Sequence, residues 1–136
     1  MVITGPRQSG KTTLARLAFK TKAYASLEDP DQRAFATEDP KGFLGRFPNG
    51  AIIDEAQHCP ALFSYLQAIV DNKKKVGSFV LTGSQNFSLL AGMTQSLAGR
   101  AGVVHLLPFS IGELRNERPS WAARRCSVPR PLPAAV

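Results

Sequence analysis

Gly5-Pro6-Arg7-Gln8-Ser9-Gly10-Lys11-Thr12 sets two glycines, a lysine and a hydroxyl at the spacing G-x-x-x-x-G-K-[ST]. The glycines let the backbone come close to an anion, and a helix starting just after them turns roughly half a positive charge toward it. In such a loop Lys11 reaches the β and γ phosphates of a nucleoside triphosphate, and the Thr12 hydroxyl ligates Mg²⁺. Thr13 is assigned a supporting contact to the α phosphate. The candidate nucleotide-binding residues are therefore Gly5, Pro6, Arg7, Gln8, Ser9, Gly10, Lys11, Thr12 and Thr13.

A second group lies downstream, where Ala51-Ile52-Ile53 runs into Asp54 and Glu55. An apolar strand ending in two acids is a Walker B pattern. Asp54 is expected to hold Mg²⁺, directly or through a water, and Glu55 to polarise a water for attack on the γ phosphate. Ser84, with Gln85 and Asn86, offers polar groups to sense the γ phosphate or orient the water, the alternative being a hydrogen-bonded turn or helix cap. Arg100 in SLAGR is by spacing alone an ordinary surface charge. His58 and Cys59 read as loop residues, since no partner set at metal-ligand spacing accompanies them.

These residues need a scaffold that brings them to one edge. Met1 to Thr4, Lys22 to Leu27, Ala51 to Asp54, Ser78 to Ser84 and Val103 to Leu107 are apolar runs suited to strands. Between them fall helical patterns: LARLAFK, the Asp-Pro starts of EDPDQRAFATEDPKGFLGRF, PALFSYLQAIVDNKKK, and two short stretches around Gly92. In the third, the periodicity puts Leu62, Tyr65, Leu66, Ile69 and Val70 on one face. Strands apolar on both faces, alternating with helices, predict a three-layer α/β fold around a parallel sheet of about five strands.

The chain has 136 residues, a formal charge of +7 and two cysteines, Cys59 and Cys126. One domain is expected, with reduced thiols and a cytoplasmic location; no apolar run approaches the roughly 18 residues of a membrane span. The segment from Arg115 onward carries +4 of that charge, with four prolines and little to bury. Residues 1–114 are thus read as the core and 115–136 as a disordered, basic, proline-rich tail, either a linker stub, a docking arm or out-of-frame translation. So placed, the charge says little about a nucleic-acid partner.

GPRQSGKTTLAR, SLEDPD, AIIDEAQ, LTGSQNF and SLAGR followed by LLPFSIGEL together resemble the prokaryotic AAA-type ATPases. The resemblance implies an AAA-like P-loop NTPase sheet in the order 5-1-4-3-2 and ATP with Mg²⁺ as ligands. It also implies Lys11 and Glu55 as catalytic groups, Thr12 and Asp54 as metal ligands and Ser84 as a sensor. Arg100 becomes an arginine finger offered to a neighbouring subunit, which implies a homo-oligomer. Family members extend before the first strand and beyond PFSIGEL, so a truncated core is expected. Three readings then compete: ATP hydrolysis driving conformational change in attached domains, a nucleotide-binding module that does not hydrolyse, and a small-molecule kinase. A GTPase is disfavoured, because no strand ends in the N-K-x-D pattern that reads guanine.

Overall fold

The computed structural model describes residues 1–72, 77–84 and 97–115. Gln85, Asn86, Gly92, Cys126 and the tail after Arg115 lie outside the described residues. Five strands form one sheet: β1 (Val2–Gly5), β2 (Ala23–Ser26), β3 (Ala51–Asp54), β4 (Val80–Ser84) and β5 (Val103–His105). Their order is β2-β3-β4-β1-β5 and every pairing is parallel, which is the expected 5-1-4-3-2 counted from the other edge.

Alternation along the central strands builds two cores. Val2, Ile53 and Leu81 pack against α2 (Pro30–Glu38), α3 (Pro40–Gly45) and α4 (Ala61–Asn72), through Ala36, Phe43, Leu62, Phe63 and Leu66. Ile3, Ile52 and Val80 point the other way, toward Ala15 of α1 (Lys11–Ala18). Helices thus cover both faces, and the central strands are buried along their length and mostly apolar because neither face meets water. The edges differ: Val103 and Val104 of β5 are 54% and 42% exposed, since an apolar sequence cannot by itself show that a strand ends up outermost.

The helix starts follow from the Asp-Pro pairs. Asp29 accepts a hydrogen bond from the Asp31 N–H at 3.0 Å and Asp39 one from the Gly42 N–H at 2.8 Å, with Pro30 and Pro40 as first helical residues, where a missing N–H costs nothing. In α4 the buried stripe is Leu62, Phe63 and Leu66, whereas Tyr65 is 42% exposed. At about 100° per residue the stripe centres near Leu66, leaving Tyr65 farther from its middle than Phe63. No described helix is long and apolar enough to cross a membrane.

Candidate nucleotide-binding site

Parallel strands carry their C-terminal ends to one edge, and the pairing Gly5↔Ser84 and Ser26↔Asp54 aligns them there. Gly5 leaves β1 at φ +156°, and a Cβ at this position would run into the Leu106 carbonyl oxygen. Gly10, the residue before α1, sits at φ +82°, so both glycines of the motif occupy backbone that side chains rarely adopt. Gln8 shares that region at φ 61°. Within the loop the Ser9 hydroxyl donates to the Pro6 carbonyl at 2.9 Å, and Lys11 Nζ donates to the same oxygen at 2.6 Å. Lys11 is only 5% exposed, its ammonium folded across the loop it serves.

Asp54 is buried and collects three hydroxyls. Thr12 donates to its two carboxylate oxygens at 2.9 and 3.0 Å, Tyr24 donates to Oδ2 at 2.9 Å, and Thr82 donates to Oδ1. The sheet explains the convergence. Tyr24 pairs with Ile52 and Ile52 with Val80, so Tyr24, Asp54 and Thr82 share the face that α1 covers, and α1 begins at Lys11-Thr12. Arg16 lies over the Tyr24 ring at 5.0 Å. Burial, and then the hydrogen bond and charge of Asp54, push the Tyr24 phenol above its ordinary value.

Glu55 follows Asp54 with φ 53° and ψ 45°, a left-handed conformation, before a 3₁₀ turn spanning Ala56–His58. In that turn Gln57 Nε2 donates to Glu55 Oε2 and, at 3.0 Å, to Ser84 Oγ. The structure thus brings Lys11, Thr12, Asp54, Glu55 and Ser84 to one edge. Thr4 and His105 share a hydrogen bond at 3.0 Å beside the loop. Cys59 is a core residue whose thiol donates to the Ala36 carbonyl at 3.4 Å, and His58 is exposed.

Arg100 stands elsewhere. It precedes β5 and lines a cavity of about 250 Å³ with Met1, Ser78 and Phe79, at the opposite edge of the sheet. Its Nε donates to Asp71 at 2.6 Å, in a pair whose side chains are 38% and 46% exposed. One chain therefore does not place Arg100 with its own phosphate loop.

Among the described residues no group of three or more His, Cys, Asp or Glu could hold a metal unaided. What the site offers is two oxygen donors already in contact, Thr12 Oγ1 and the Asp54 carboxylate, beside the phosphate loop. That set fits Mg²⁺, a hard cation that keeps waters and takes phosphate oxygens alongside few protein ligands. The sequence alone did not single out Tyr24, Thr82 or Gln57. Their only sequence signal is position: Gln57 lies just beyond β3, which ends in the acids, and Tyr24 and Thr82 lie on the runs that become its neighbours β2 and β4.

A protein-family model described as AAA domain matches residues 1–115. Over 116 residues the chain is 35% identical to Uncharacterized protein Rv2008c of Mycobacterium tuberculosis and to Uncharacterized protein Mb2031c of Mycobacterium bovis. These alignments cover 84% of this chain and 26% of either relative, so the chain spans about a quarter of their length.

Proposed function

Because the chain belongs to the AAA domain family, we propose that it binds ATP with Mg²⁺ and hydrolyses the γ phosphoryl group to drive conformational change in attached domains or partners. The observation that carries this reading is the contact of Thr12 with Asp54, which joins the end of the phosphate loop to the end of β3. The hydroxyl and carboxylate expected to share a cation already meet. Lys11 supplies a positive charge at the loop for the β and γ oxygens, and Glu55 takes the proton of the attacking water. The new O–P bond forms as the bond to the bridging oxygen breaks. Mg²⁺, when bound, neutralises charge on the phosphate oxygens.

A groove of about 630 Å³ adjoins the loop between α1 and the chain after β5, lined by Leu14, Leu17, Leu106, Pro108 and Phe109. Its size and apolar walls suit the base of the nucleotide and support ATP as the ligand. Arg100 on this reading acts on a neighbouring copy's phosphate. Its pair with Asp71 is exposed and screened by solvent, so releasing it costs little.

Single-turnover phosphate release is the test. Glu55→Gln should slow release by roughly 10²- to 10⁴-fold while ATP still binds. Binding with equal background release in wild type and Glu55→Gln would replace hydrolysis with a non-hydrolysing nucleotide module. Unchanged ATP affinity in Lys11→Ala would overturn the site assignment itself.

A further inference from the structure

Glu55 and Ser84 come from different strands, yet one amide holds both. Gln57 has two N–H groups on Nε2, and the structure uses them on Glu55 Oε2 and on Ser84 Oγ at 3.0 Å. A carboxylate cannot donate, so this orientation of the amide is the one that works. It leaves Oε1 buried and, among the described residues, without a partner. A buried acceptor left unpaired is destabilising, a loss that a bound O–H donor would recover. Glu55 meanwhile sits at φ 53°, a left-handed conformation that is unfavourable for a side-chain-bearing residue. Such conformations persist where surrounding contacts over-determine them.

We propose that Gln57 is a positioning residue of the hydrolytic centre, tying the Glu55 carboxylate to the Ser84 hydroxyl and accepting at Oε1 a hydrogen bond from the attacking water. The assignment rests on the hydrolytic reading of Glu55 above. The water's reacting proton passes to the Glu55 oxygen that Gln57 does not hold. Its second O–H stays on Gln57 Oε1 while the O–P bond forms and the bond to the bridging oxygen breaks. A triphosphate and a diphosphate therefore differ in whether Gln57 has a water to hold.

The side-chain amide resonance of Gln57 in the ¹⁵N-labelled full chain, assigned by its loss in Gln57→Leu, tests the network without needing turnover. Glu55→Ala and Ser84→Ala should each shift it, and it should move again with Mg²⁺ and a non-hydrolysable ATP analogue but not with Mg²⁺ and ADP. An amide blind to both substitutions, or to the analogue, overturns the proposal. In kinetics, Gln57→Leu should lower kcat by about 10²-fold with KM for ATP held within about twofold and the melting temperature unchanged. Retained kcat, or a loss matched by a rise in KM, overturns it too. Wild type without Glu55-dependent release would defeat the hydrolytic reading, and with it the attacking water, whereas the amide's responses to Glu55→Ala and Ser84→Ala would then decide the tie on their own.

Discussion

Asp54 draws its hydroxyl donors from α1, β2 and β4, and Tyr24 is the donor whose ionisation reports on the arrangement. Its phenol is pushed above 10.0 by burial and by Asp54. The folded state thus keeps the proton longer than the unfolded chain does. The resulting stability is fully present below the unfolded value and is lost as pH rises through the folded one. Chemical denaturation midpoints should therefore fall more steeply above about pH 10 in wild type than in Tyr24→Phe, and ultraviolet titration should show one phenol ionising late. Parallel curves would show that Tyr24 is not held by Asp54. Lys11, Thr12, Asp54 and Glu55 are legible in the sequence as candidates because local spacing marks them. Tyr24, Thr82 and Gln57 are not, because what makes them partners is strand register and the turn after β3.

At the scale of elements, two short helices depend on their first residues. Asp29 and Asp39 each satisfy an N–H that would otherwise be orphaned, and α3 is only six residues long. Asp29→Ala and Asp39→Ala should each destabilise the chain by about 1 kcal/mol in denaturant titrations, with Asn substitutions close to neutral. Both starts can be read from the sequence, since Asp-Pro carries cap and first turn together. The inner face of α4 cannot be read so closely: Tyr65 and Phe63 are both compatible with a helical period, and packing on the sheet selects Phe63. Strand order has the same character. Each apolar run announces a strand, but β5 beside β1, with its valines exposed, is a matter of long-range pairing.

For the whole molecule, a ligand that binds only the folded chain stabilises it by mass action. ATP with Mg²⁺ at 100 times its dissociation constant should add about 2.7 kcal/mol, read as a rise in melting temperature. Thr12→Ala should keep a response to nucleotide but lose most of the part that depends on Mg²⁺; an unaltered Mg²⁺ dependence would remove Thr12 from the metal site. Arg100 lies at the far edge from the loop, so any catalytic role belongs to an assembly of copies. Mixing Arg100→Ala with Glu55→Gln chains should then restore part of the ATPase activity each lacks, and no recovery would leave Arg100 as the partner of Asp71. The sequence by itself determined the phosphate loop, the acid pair and the alternation that makes a three-layer sheet, because each is written in neighbouring residues and in periods of two and 3.6. Only the tertiary structure decided which hydroxyls surround Asp54, that Gln57 spans Glu55 and Ser84, and that Arg100 faces away. Those facts follow from side chains far apart in the chain meeting across parallel strands, where register and burial, not local spacing, choose the neighbours.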